Sequence, residues 1–225
     1  GARQLMTMHP RSGRSSSNHL SAGPDAILDF HSIQAKDTTQ TMTALIARDY
    51  ALTPAVPTFL CETWYEHDQV GGVFGIHQIG STPTFRAHYW AARLHGGFGE
   101  GYGAWTLWLN LQNWQSDINR TGALAIASYM RSILEKTDWY NLAPTPTNVD
   151  GLHLATSPIS GTNVGYLEKP RTIPNDVPQE FHITWFDPAT GEVVSTMVAE
   201  NPIKPPGTLK QDSVFILKRN KPLPL

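Results

Sequence analysis

Only one cysteine, Cys61, occurs among 225 residues, so no internal disulfide can form. Its place in an apolar run beside Glu62 reads as a strand residue rather than a reactive thiol. Charge is scarce as well. Charged side chains make up 16 % of the chain and the formal net charge is −2, which leaves neither a basic stripe for nucleic acid nor a polybasic anchor for a membrane surface. No apolar run approaches the roughly 18 residues of a membrane span, and Gly1-Ala2-Arg3-Gln4 lacks the charged-then-apolar order of an export signal. Metal-ligand spacing is missing too: His67-Asp68, His77 and His95 share none. Gly96-Gly97-Phe98-Gly99 leads into a strand rather than a helix N-terminus, so no phosphate cradle is expected. The expectation is a chain with no cofactor, no nucleic-acid partner and no membrane partner.

What remains is apolar and aromatic. A hydrophobic content of 40 % suffices for a real core, and seven Trp with seven Tyr in so weakly charged a chain fit neutral, polyhydroxylated ligands bound by stacking and hydrogen bonds. Leu5-Met6-Thr7-Met8-His9 reads as a strand almost from the first residue, so the chain is expected to begin inside something longer. Arg11 to Asn18 follows as a polar loop. Ile27 to Gln34 is a second strand, and Asp37-Thr38-Thr39 offers an N-cap to a helix with Met42, Leu45, Ile46 and Tyr50 on one face. The third strand is Thr58 to Glu62. After the loop Gly71 to Gly75, Thr82-Pro83 opens a helix through Phe85, Tyr89 and Ala92. Gly96 to Trp108 reads as a fourth strand, and Gly122 to Lys136 as a helix with Ile126, Met130, Ile133 and Leu134 on one face. Such alternation argues for βα units on a parallel sheet.

Beyond Thr137 the texture changes. Leu152 to Thr156, Val164 to Leu167, Glu180 to Phe186, Glu192 to Val198 and Ser213 to Lys218 are short apolar runs split by Pro, Gly and Asp, as in a small antiparallel β-sandwich. Asp187-Pro188-Ala189-Thr190-Gly191 is a strong turn between two of them. The expected division is therefore α/β in residues 1–136 and all-β in residues 137–225.

Within the first part, Cys61-Glu62-Thr63-Trp64-Tyr65-Glu66 puts a carboxylate at the end of an apolar strand with rings directly after it. A sugar-cleaving site needs that combination, because a carboxylate can attack or stabilise an anomeric carbon while ring faces pack on sugar C–H surfaces. An exposed loop glutamate is the bland alternative. Strand ends collect further candidates for substrate contact: His9, Arg14 and Ser16 from the first loop, Gln34, then Trp64, Tyr65, Tyr102 and Trp108. His31 and Gln34 have opposite parity along one strand, and Gln34 is at the open end.

Several of these motifs, in order, resemble the apiosidase-like glycoside hydrolases. The similarity runs through Met8-His9-Pro10 with Ser15-Ser16-Ser17, Leu28 to Gln34, Cys61 to Glu66, Arg86 with Tyr89-Trp90, and Gly99-Glu100-Gly101-Tyr102-Gly103. It continues through Trp185-Phe186-Asp187-Pro188, Gly191-Glu192, Pro205-Pro206 and Asp212 to Phe215. The resemblance implies the C-terminal half of a (β/α)8 TIM barrel, its last four βα units, followed by a small β-sandwich that carries a collagen-binding label. It implies a retaining enzyme with Glu62 on the seventh strand as nucleophile, acting on polysaccharide side chains. The acid/base carboxylate of such enzymes sits on the fourth strand, about 5.5 Å away, and that strand is missing here. Cleavage by this chain alone is therefore not expected, and a non-catalytic carbohydrate-binding or structural remnant is the alternative. Half a barrel leaves open strand edges, so a complementing N-terminal half-barrel or self-association is expected. Thr63-Trp64 stands where the family has Pro-Arg, and Glu100 where it has His. Glu100 is expected to be structural. The resemblance also favours a secreted or periplasmic location.

Overall fold

The polar run after Pro10 folds back along the chain instead of looping into solvent. The computed structural model describes residues 4–23, 26–66, 82–108, 110, 114–174 and 181–219, so the Gly71 to Gly75 loop, His67-Asp68 and His77 lie outside the described residues. Contacts divide the chain into two compact units, residues 1–117 and 118–225.

In the first unit a four-stranded sheet has the order β1-β2-β3-β4: β1 (Arg14–Ser15), β2 (His31–Gln34), β3 (Thr58–Glu62) and β4 (Gly97–Glu100). The last three are parallel, joined by α1 (Thr39–Tyr50) and α2 (Thr82–Leu94), as strand–helix alternation requires. Thr38 caps α1 as expected, its side chain accepting from the N–H of Thr41 at 3.2 Å. Met42 and Ile46 of α1 and Ala91 and Ala92 of α2 bury one face of the sheet with Ile33 and Leu60.

Three expectations differ from the structure here. Residues 4–9 form no strand: Met6 and Asp29 exchange bonds of 2.7 and 2.8 Å, one through the Asp29 side chain, and Thr7 Oγ1 donates to Phe30 O. Side-chain acceptors thus replace a ladder. The four parallel strands expected of half a barrel number three among the described residues. The run Gly96 to Trp108 is likewise only partly a strand. After Glu100 the chain crowds β3, where a Cβ on Gly101 would stand 2.7 Å from Cys61 O, and then turns into the short helix α3 (Trp105–Trp108). Another short helix, α4 (Trp114–Asp117), follows.

The second unit opens with α5 (Thr121–Leu124) and α6 (Arg131–Leu134), joined by a π-helical turn at Ala125–Met130. That wide turn rotates the buried stripe to Ala123, Ala125, Met130, Ile133 and Leu134, with Ile126 only partly covered. This helical segment precedes the texture change at Thr137 yet packs with the strands after it: Lys218 Nζ donates to Lys136 O at 2.5 Å, and Gly191 lies against Tyr129.

The five expected apolar runs become β6 (Leu152–Thr156), β7 (Asn163–Leu167), β8 (Phe181–Phe186), β9 (Val193–Val198) and β10 (Ser213–Arg219), and an unexpected short strand, β5 (Ala143–Pro144), precedes them. All pairings are antiparallel, in the order β5-β6-β7-β10-β8-β9. Gly191 closes the β8–β9 turn at φ +73°, donating to Asp187 O at 2.8 Å. These strands make one sheet rather than the two of a sandwich. Leu167, Trp185, Phe215 and Leu217 of the sheet cluster with Ile173, Ile203 and Leu209 from loops, and the first two of these loop residues are joined by a single bridge.

Phe215 lies flat over β7 because position 165 has no side chain: a Cβ there would stand 2.1 Å from Phe215 Cζ. Gly165→Ala should therefore destabilise by about 1–3 kcal/mol, the usual range for overpacking, read as a lowered denaturant midpoint. Asp138 makes a pH-dependent contribution. Burial acts to raise its carboxyl, but donors from Ser157 and Ser160, the latter at 2.8 Å, outweigh this and hold it below its ordinary 3.8. A depressed folded value means that the stabilisation is present above 3.8 and is lost as pH falls through the folded value. Thermal midpoints should drop across that acid window, and Asp138→Asn should flatten the drop.

Candidate active site

Glu62 ends β3, and one extra residue decides where it points. Ile33 pairs with Leu60 but Gln34 pairs with Glu62, so Cys61 is a bulge in the parallel ladder. Without it, strand alternation would put Glu62 on the Leu60 face, among the helices. With it, Cys61 and Glu62 both line a cavity of about 400 Å³, together with His9, Tyr65, Tyr102, Leu107 and Trp108. The bond from Ala35 N–H to Glu62 O, 3.0 Å, continues the ladder past the bulge and fixes the backbone.

Two side-chain nitrogens flank the carboxylate. Lys36 Nζ lies 2.5 Å from Oε1 and His9 Nε2 lies 3.1 Å from Oε2, while the Glu62 side chain keeps 17 % exposure. Burial pushes the Glu62 carboxyl up, but the hydrogen bond and charge of Lys36, a hydrogen bond from Tyr65 and the nearby His9 outweigh it and hold the group below its usual range. The carboxylate is thus ionised at neutral pH. The Cys61 thiol is pushed up to about 12, first by burial and then by the Glu62 charge, and Sγ donates to Ile33 O at 3.1 Å. It is no nucleophile, as its strand position suggested.

The rings are placed by close backbone packing. A Cβ on Gly103 would stand 2.4 Å from Tyr65 Cδ1, so the absent side chain makes room for that ring. Glu66 N–H donates to Gly103 O at 3.0 Å, and Tyr102 Oη donates to the buried Glu66 Oε2 at 2.9 Å, which anchors Tyr102 beside the cavity. Trp108 ends α3 with 55 % exposure.

Of the residues expected to contact substrate, His9, Tyr65, Tyr102 and Trp108 gather around Glu62, and four do not line its cavity. Gln34 is the backbone neighbour of Glu62, and Arg14 pairs with Gln34 but is exposed. Trp64 turns away, its Nε1 donating to Asp37 O at 3.2 Å, while Thr63 Oγ1 and His88 Nδ1 stand 2.6 Å apart in the interior. Ser16 is corrected outright: fully buried, its Oγ accepts from Ser32 N–H at 3.0 Å and meets His31 Nδ1 at 3.2 Å. The loop runs down antiparallel to β2, where Ser15 and Ser17 donate to buried Asp49, so it leaves the strand ends behind.

Glu100 faces away from the cavity as expected. Arg93 Nη2 grips both its oxygens at 3.0 and 2.9 Å, and burial raises its carboxyl despite the opposing pull of that guanidinium. Lys36 is the residue that sequence reasoning missed. Its signal was faint: a lone lysine two positions past a strand end, ahead of a helix cap.

Comparisons with other proteins bear on the fold and the family. Among curated proteins none matches the chain. A solved structure described as a glycoside hydrolase superposes with TM-score 0.76 at 15 % identity, over 96 % of this chain and 57 % of that one. A glycoside hydrolase family 5 protein from Bacteroides vulgatus ATCC 8482 does so with TM-score 0.74 at 16 % identity, over 96 % and 55 %. The chain thus spans little more than half the length of these structures. The family model for the Apiosidase-like catalytic domain matches residues 1–141, which include every residue around Glu62 described above, and the chain belongs to that glycoside hydrolase-like family.

Proposed function

We propose that this chain carries the nucleophile of a retaining glycosidase acting on polysaccharide side chains, with Glu62 attacking the anomeric carbon. The supporting observation is an ionised carboxylate, aimed by a bulge into a ring-lined cavity. Tyr65, Tyr102 and Trp108 offer ring faces to the sugar, and His9 a polar contact. Gln34, Arg14 and Trp64 belong to the outer rim in this reading. Glu62 is the only carboxylate among the described residues lining the cavity, so the acid/base group comes from elsewhere, and this chain alone does not cleave unactivated glycosides.

In the same reading residues 1–136 are the last part of a (β/α)8 barrel, completed by an N-terminal half-barrel or a second copy, and residues 137–225 are a structural module. Phe30, Phe59 and Phe98 support it. They meet at 5.5 to 6.3 Å, and Phe98 is 47 % exposed, as an unfilled barrel interior would leave it. The lone carboxylate also favours a second reading, carbohydrate binding without turnover.

Dinitrophenyl 2-deoxy-2-fluoroglycosides separate the two. As the bond from Glu62 to the anomeric carbon forms, dinitrophenolate leaves with its electron pair and needs no proton donor. The expected result is a trapped adduct on the peptide holding Glu62, by mass spectrometry, and none in Glu62→Gln. Saturable sugar binding with no adduct across a panel of pyranosides and furanosides would favour the binding reading.

A further inference from the structure

Lys36 is held more firmly than a surface lysine. The residue before it, Ala35, donates its N–H to Glu62 O at 3.0 Å; the residue after it, Asp37, accepts from Trp64 Nε1 at 3.2 Å; and Thr38 then caps α1. Its backbone is therefore pinned on both sides. The side chain is 30 % exposed, and Nζ lies 4.3 Å from the Tyr65 ring centroid as well as 2.5 Å from Glu62 Oε1. The ring and the carboxylate share one ammonium, so Lys36 links the cavity's charged group to one of its stacking surfaces.

We propose that Lys36 is the positioning residue of this site, tying Oε1 of Glu62 and bracing Tyr65 so that Oε2 is the oxygen offered to the cavity. The inference rests on the reading of Glu62 as nucleophile only for its catalytic meaning. Around Glu62 the other groups are His9 on Oε2, Tyr65, the Cys61 thiol and, across the cavity, Tyr102. None of these supplies a permanent cation. Loss of Lys36 removes the two largest contributions that oppose burial, its hydrogen bond and its charge, so the carboxyl should take up its proton at higher pH.

The test is a carbon-detected NMR titration of Glu62 in the chain with Lys36, with Lys36→Met and with Lys36→Arg, run beside the rate of adduct formation as a function of pH. Lys36→Met should move the titration and the acid limb of the labelling rate to higher pH, with a severalfold loss of labelling on that limb. Lys36→Arg should return both towards the original values, which a merely structural role would not do. If Lys36→Met does not fold, shown by its amide spectrum, Lys36→Gln takes its place. A titration unmoved by loss of the ammonium overturns the proposal whether or not Glu62 is labelled. A titration that moves while no reagent labels Glu62 in the original chain keeps Lys36 as the group that orients this carboxylate and overturns the nucleophile reading instead.

Discussion

Glu62→Gln should lower kcat/KM for activated aryl glycosides by ~10³-fold or more, since losing a single general catalyst commonly costs about 10²–10⁴-fold and a nucleophile more. Ligand affinity should survive. The amide has the shape of the carboxylate and still accepts from Lys36, which stands 2.5 Å from Oε1, so the cavity keeps its form while losing the attacking charge. The exchange removes the opposite charge beside Lys36 and weakens its hydrogen bond, so the denaturant midpoint should fall by about 1–3 kcal/mol equivalent. Unchanged turnover in Glu62→Gln would remove the residue from the chemistry, whatever the fate of the fold. The comparison is cleanest with a complementing half-barrel present, because both variants then see the same proton donor.

Trp185→Ala should destabilise the protein by about 3–5 kcal/mol, a large part of the 5–15 kcal/mol that holds an ordinary domain folded. Trp185 is fully buried in β8, its ring 5.2 Å from that of Phe215 on the neighbouring β10, and it packs where loops stand in for a second sheet. Trp185→Phe gives the control. Among the described residues Trp185 Nε1 has no hydrogen-bond partner, so the smaller ring deletes an unsatisfied buried donor while keeping a partner for Phe215. Its cost should be well under half that of alanine in equilibrium urea unfolding, and equal costs would mean that ring contact contributes nothing here.

Five strands of the second unit, β6 to β10, were legible because each is a short apolar run bounded by Pro, Gly or Asp, and the observed bounds fall within a residue or so of the runs; the two-residue β5 was not. Their assembly was not. Whether six strands make one sheet or two depends on contacts between residues such as Ile173 and Ile203, which carry no periodic signal. Glycine misled the reading of Gly96 to Trp108 for a related reason. Glycines that permit extended backbone also permit the crowding against Cys61 and Tyr65 that ends the strand early.

At the candidate site, Glu62 and Tyr65 were legible because strand end and following loop are adjacent in sequence. His9 was found by its place before Pro10. Lys36 was not, since its pairing with Glu62 comes from a parallel register that no local pattern announces. Ser16 was misplaced because a serine run reads as solvent-facing loop, whereas buried Asp49 and His31 supply partners that draw it inward.

The direction of the Glu62 anion is a matter of counting. It depends on how many residues separate Leu60 from position 62, not on what the residue between them is. An engineer can therefore vary the side chain at 61 to reshape the hollow, but shortening the segment by one would swing the acid among the helices, out of the hollow it now lines.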